Sequence, residues 1–556
     1  GGAVSGDHDL MITAVTHLNA PTVNTMAHAQ RYNGAVVLGH DAVLTGTNVS
    51  FDDTLDGAYS LVVHGSGTTT LAGAVGGSQA LMHVQTESTG STVIKGGLIR
   101  TQGPSSIWFM NDVVVTSDTS DTTTFDTTGN ANAPVAGANI TFDKTINGSA
   151  VNTESVVLNA GSRGVVRVNG AVGGLVSLKT LTLAQSKGAT FSGAVTTGTS
   201  VVLDNTEAGQ TITFEGNLST SVLTTGPHGY NLVMTGAINT VSNTTTATTF
   251  NHTGALKLGG SATDSVTFAG GLVVTTPSSL SVAGALNTSN TPMTLGDNNT
   301  ALTLAGHAVL NTAGATLNIN GAVNGTAANM QSLTLNAGST GTVSVTAAIG
   351  STTPLKTLTL TNSSGATFTA PVTTGTSVVL DGTQTGQDIT FTKNVTTSIL
   401  SVGAQGFNLV MTGASNTVSN ASVATSFNNT GRVQLGDSAT DSFVFAGGLV
   451  ATAPSLVELA GDLSTTAATA TMAFASTHLL DTTRLTSSGL TLGGTVSGPH
   501  GFTTVGNTTF SNGSVSTPGF AQSYSGAMNL TATTTLTASS VTLGGAVSGP
   551  YSFNVV

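Results

Sequence analysis

Residues 178–204, LKTLTLAQSKGATFSGAVTTGTSVVLD, return as residues 355–381, LKTLTLTNSSGATFTAPVTTGTSVVLD, with 21 of 27 positions identical. The offset, 355 − 178 = 177, also carries YNLVMTGA (230–237) onto FNLVMTGA (407–414) and SATDSVTFAGGLV (261–273) onto SATDSFVFAGGLV (438–450). A long unit written twice without a gap marks a modular array, in which each repeat buries its apolar face against its neighbours. Shorter periods run inside the unit. LTL at 333–335, LTL at 358–360, VVL at 378–380, ILSV at 399–402 and VQL at 433–435 recur at intervals of about 20–35 residues. Alternating runs of this length are strands with one buried face, and the Gly, Asn, Asp and Ser between them supply turns. No long apolar series at helical spacing is present, so the chain is expected to be all-β.

Short strands at this spacing fit β-sandwich domains in series, a propeller, or an elongated parallel β-helix (a β-solenoid). The gapless unit lacks charged or Pro-rich linkers at domain-sized intervals, which favours the solenoid over its alternative, Ig-like sandwiches in series. Each coil then holds two or three short strands. Val, Leu, Ile and Phe point inward, and Thr, Ser and Asn outward. At about 23 residues per coil the 556 residues make roughly 24 coils, a rod on the order of 100 Å. Sparse charge suits such stacking, because like charges would sit directly above one another; only 7% of residues are charged. The expected organisation is a cap or docking segment (1–35), solenoid coils (36–139) with an insertion at about 96–136, repeat units at 140–316 and 317–486, and short-repeat coils ending in an open strand (487–556).

The remaining composition narrows the function. A net charge of −12 with 13 Lys and Arg speaks against a nucleic-acid groove, which needs clustered cations. No apolar run approaches a membrane helix, so no membrane insertion is expected. The absence of Cys excludes disulfides and thiolate metal sites.

Glycosidic or lyase chemistry needs paired carboxylates with cationic partners. The repeat argues against it: Glu207 falls on Gln384, Glu215 on Thr392, Arg163 on Thr340 and Arg167 on Ser344. Asp204/Asp381 and Asp264/Asp441 do recur, but where turns begin, as Asx caps. No catalytic residue and no cofactor is assigned. Asp118, Asp121 and Asp126 in SDTSDTTTFD are the candidates for Ca²⁺, against a plain solvated acidic loop. His8, His17, His28, His40, His64 and His83 crowd the first 83 residues, but at no metal-ligand spacing. Trp108 and Phe109 are the recognition candidates for a glycan or partner.

The stretches SFDDTLDGAYSLVVHGSGTTTLAGAVGG (50–77), ITFDKTINGSAVNTESVVLNAG (140–161) and AQSYSGAMNLTATTTLTASSVTLGGAVSGPYSF (521–553) carry a resemblance. In them the chain resembles the β-strand-repeat regions of bacterial surface proteins, the filamentous-haemagglutinin-like adhesins and autotransporter passenger domains. That resemblance implies a right-handed solenoid, secretion, and a place on the bacterial cell surface or in its matrix, as a passenger fragment or processed subunit. The expectation is a non-enzymatic structural protein that polymerises with itself, head to tail. His17, Met26, Tyr32, Tyr551, Phe553, Val555 and Val556 are its interface candidates. A stalk binding a host receptor or glycan is the alternative, and a polysaccharide-active enzyme the third reading.

Overall fold

The strand Ser155–Asn159 shows how the chain is built. Val156 and Leu158 are fully buried while their neighbours face out, so two branched apolar residues alternate with polar ones on a half-buried surface. The strand pairs in parallel with Thr122–Asp126 on one side and with Leu178–Ser186 on the other. Thr122, Ser155, Thr180, Ser200 and Val222 thus form one column, with steps of 33, 25, 20 and 22 residues. Each step is one coil, and adjacent coils hold the same position in register.

A computed structural model describes residues 2–103, 106–116, 118, 120–129 and 136–556. Among these residues there is no helix, and parallel stacked strands form a β-solenoid of about 25 turns. The chain divides by contact into two units, Gly1–Ser281 and Val282–Val556. In the first unit, a second column runs through Thr86, Phe109, Phe142, Val168, Phe191, Phe214, Met234 and Leu258. A third passes through Val113, Ile146, Val172, Val195 and Leu218.

Register turns identical neighbours into ladders. Phe109 and Phe142 stack at 5.5 Å and 12°, Phe191 and Phe214 at 5.0 Å and 10°. In the second unit Phe368 and Phe391 repeat the latter pair at 4.6 Å and 11°. Parallel offset rings add to the burial of their area.

Two segments set apart in the sequence are built of coil strands where they are described. The segment 96–136 is not a side loop in its described residues. Ile107–Phe109 lies in register between His83–Thr86 and Ile140–Phe142, and Asp112–Val115 between Ser91–Ile94 and Ile146–Gly148. Its positions 104, 105, 117, 119 and 130–135 lie outside the described residues. The segment 1–35 is likewise built of coil strands, with Leu10–Ile12 paired to Gln30–Tyr32 and Thr16–Leu18 to Val36–Leu38.

Thr, Ser, Asn and Gln also do more than face solvent. Thr86 and Thr92 both donate from Oγ1 to the buried Asn111 Oδ1, at 3.0 and 2.9 Å. Thr197 and Thr220 join at 2.8 Å, and Thr374 and Thr397 repeat that bond at 2.8 Å. At coil corners the main chain leaves the ladder, and inward polar side chains satisfy groups that would otherwise be stranded.

Candidate functional site

The charged side chains are the first place to look for chemistry, and several of them pair across neighbouring coils. Arg31 reaches Asp52 at 2.7 Å, Lys95 reaches Asp118 at 2.7 Å, Arg100 reaches Asp126 at 3.1 Å and Arg432 reaches Glu458 at 2.6 Å. A hydroxyl bond from Ser50, helped by Arg31, holds the Asp52 carboxyl below the usual carboxylate range. The Asp264 Oδ2 accepts the amides of Gly260 and Ser261 at 2.7 and 2.9 Å. Asp441 does the same for Asp437 and Ser438 at 2.9 and 3.1 Å, a turn cap in both copies. Burial, followed by the charge of Asp441, pushes the Asp437 carboxyl up.

The calcium candidates are not brought together. Asp118 is engaged by Lys95 and Asp126 by Arg100, while Asp126 Oδ1 also accepts the Thr128 amide at 2.9 Å. Asp121 contributes its main-chain oxygen to Ser155 at 2.7 Å. Among the described residues no group of three His, Asp or Glu side chains is placed to hold a metal ion. His28 lies 3.3 Å from Asp7 and 3.6 Å from Asp9, and His64 lies 3.0 Å from Glu87.

The recognition pair splits. Phe109 is fully buried in the Phe column and cannot meet a ligand, because alternation turns it inward with Ile107. Trp108 faces outward, half-buried, and its Nε1 donates to Asp143 Oδ2 at 2.8 Å. Of the interface candidates, Tyr32 is also misassigned. It is buried, stacked on Phe51 at 5.1 Å, and donates to Gln30 Oε1 at 3.2 Å. His17, Met26, Tyr551, Val555 and Val556 are exposed, and Phe553 is half-buried.

Three features escaped the residue-by-residue reading. The first is a buried amide staple. Gln30 Nε2 donates to Val23 O at 3.1 Å and Thr45 O at 2.8 Å, with Thr25 Oγ1 at 3.4 Å. Gln522 repeats it on Val515 O, Thr537 O and Thr517 Oγ1 at 3.1, 3.0 and 3.0 Å, with Tyr524 standing where Tyr32 stands. The second is His252, fully buried and stacked on Tyr230 at 5.2 Å. Neither ring nitrogen has a hydrogen-bond partner, and burial, offset in part by the main chain of Ala255, pushes its pKa down to about 4.

The third is a pair of slots. In the first unit a concavity of about 220 Å³ lies between Val222–Thr225 and Thr248–Thr249, beneath the loop 243–247. In the second unit one of about 170 Å³ lies at the positions 177 residues on, between Ile399–Val402 and Thr425–Ser426. This pair recurs with the repeat. Their walls hold Thr, Ser and Asn beside Val, Ile and Ala, with no charged group.

The fold defines the class: a parallel β-solenoid repeat protein. Comparison with protein-family models, with curated proteins and with solved structures gave no match to the chain.

Proposed function

We propose that the protein is a non-enzymatic extracellular structural protein, a subunit of a filament on the bacterial surface or in its matrix that grows by stacking coil on coil. The observation that carries this reading is the register itself. Neighbouring coils meet through in-register main-chain donors and acceptors, matched by stacked aromatic and hydroxyl columns. Such an edge is a template for any further coil, from the same chain or another copy. A head-to-tail contact of this kind does not close on itself, so it propagates. Ion pairs such as Arg31–Asp52 and Arg432–Glu458 support the reading, because each joins one coil to the next. The resemblance to adhesin and passenger repeats supports the extracellular, bacterial setting.

The test is electron microscopy and sedimentation of the purified full chain over a range of concentrations. Filaments that lengthen with concentration are expected, and removal of residues 551–556 should shorten or abolish them. A chain that stays monomeric at every concentration, or filaments indifferent to that removal, would overturn the interface. Surface proteolysis of intact expressing cells tests the location: protection from added protease would contradict it.

A further inference from the structure

Positive charge is not spread evenly over the coils. Of the 13 Lys and Arg, Lys144, Arg163, Arg167 and Lys187 fall within three successive coils of the first unit. Register gathers them on one face. Thr141, Arg167 and Thr190 form an outward column, which Trp108 heads one coil earlier. Arg163 leads into the strand of Arg167. The Lys187 N–H bonds to Gly164 O at 2.7 Å, so Lys187 lies one coil on from Arg163. Lys144 follows the strand Ile140–Phe142, and its Nζ reaches back to Ser88 O at 2.9 Å. All four are exposed. Among the described residues the Lys and Arg ion pairs are those of Arg31, Lys95, Arg100 and Arg432, so these four charges are unpaired.

Two carboxylates border the patch, and both are engaged. Asp143 Oδ2 accepts Trp108 Nε1 at 2.8 Å, and its Oδ1 accepts Asn169 Nδ2 at 3.0 Å. Asp112, beside Lys144, accepts the Thr145 amide and hydroxyl at 3.1 and 2.6 Å. Four positive charges therefore stand against two negative ones, in a chain whose net charge is −12. Acidic residues return in the next coil, at Glu207 and Glu215. Trp108 is the only Trp of the chain. With its Nε1 spent on Asp143, the half-buried ring offers carbon surface beside the charges. The repeat supplies a neutral counterpart. At the positions 177 residues on stand Gly321, Thr340, Ser344 and Ser364, and Thr294 precedes Asn318 in the column as Trp108 precedes Thr141. The same coils fold there without these charges, so the solenoid itself does not require them.

We propose that this face binds an acidic polysaccharide, a polyuronate with one carboxylate on each sugar. Coils repeat about every 4.8 Å, close to the length of one pyranose along its chain, so cations in three successive coils meet successive carboxylates. The Arg163 and Arg167 guanidinium groups suit carboxylates, which they hold by two parallel hydrogen bonds. Arg163 also lines one hollow with Gln102 and Asn139, whose amides serve sugar hydroxyls. Trp108 takes the apolar side of a ring. Each exposed pair is weak alone, so affinity comes from several engaged at once. A nucleic acid fits less well, since its phosphates repeat about every 3.4 Å along a strand and four cations release few counterions. Whether the chain polymerises does not enter this assignment.

Because Trp108 is the only Trp, its fluorescence reports on this face alone. The full chain is titrated with a hexamer of galacturonate and with the fully methyl-esterified hexamer, which keeps the backbone and loses the charge. The acid is expected to shift the Trp108 emission saturably, and the ester to bind at least about tenfold more weakly. Arg163→Thr, Arg167→Ser and Lys187→Ser together install the residues of the second repeat. This triple variant is expected to bind the acid about tenfold more weakly, with the β-sheet circular dichroism retained. Should it lose that spectrum, the three single variants take its place, and unchanged binding in all of them counts against the assignment. Lys356→Gln with Lys393→Gln removes two exposed charges of the second unit and is expected to leave binding unchanged. Equal binding of acid and ester, binding heat without a change in Trp108 emission, weakening by the Lys356 and Lys393 changes, or displacement by single-stranded DNA of the same charge at equal concentration would each overturn it.

Discussion

His252 and Gln30 show that single inward polar residues decide much of this solenoid's behaviour. From pH 6.5 down to about 4, an unfolded chain binds a proton at position 252 that the folded chain excludes. Stability is therefore complete above the ordinary His range and falls as pH drops through that window, by about 3 kcal/mol in full. Hydrogen exchange over Ala255–Leu258 should show this loss, and His252→Asn should remove most of it. Asn429 holds the equivalent place in the second repeat, with its Nδ2 donating to Phe407 O at 3.0 Å. At the staples, Gln30→Ala or Gln522→Ala leaves buried carbonyls without donors and is expected to cost about 1–3 kcal/mol. Chemical denaturation followed by exchange across 23–45 or 515–537 checks it. The staple was legible as V-x-T-x-x-x-A-Q-x-Y at 23–32 and 515–524, a pattern the 177-residue offset does not reveal. His252 was not legible, because an outward and an inward His look alike until strand parity is known.

At the scale of the strand, columns govern. Val233 sits between Thr213 and Lys257 in an outward column. Val233→Lys places like charges one coil apart and should destabilise, while Val233→Glu should stabilise, each by about 0.2–1 kcal/mol. Denaturation midpoints at low and high salt distinguish this from a packing effect, since only the charge contribution is screened. Alternation made Trp108 and Phe109 readable in principle: in IWF the outer two residues share a face. Treating 96–136 as an insertion hid that parity. Tyr32 was hidden differently, by a partner, Phe51, that lies in the neighbouring coil.

For the molecule, nearest-neighbour stacking means that damage stays local. Phe191→Ala and Phe368→Ala each break one ring pair, at an expected cost of about 3–5 kcal/mol. Exchange protection should fall in the altered coil and its neighbours and nowhere else, and the double variant should show the sum of the two patterns. A global loss of protection from either change would contradict the stacked-coil account.

Alternation of branched apolar residues with Thr, Ser and Asn, punctuated by Gly and Asn, determined an all-β chain of parallel coils, and the 177-residue repeat determined that two stretches fold alike. These are properties of neighbours along the chain, where period and turn chemistry suffice. Only the tertiary structure decided which polar side chains turn inward at corners and which carboxylates meet a cation one coil away. Each depends on register between residues some 20–33 positions apart, and a change of coil length by one residue reverses the face on which a side chain lies.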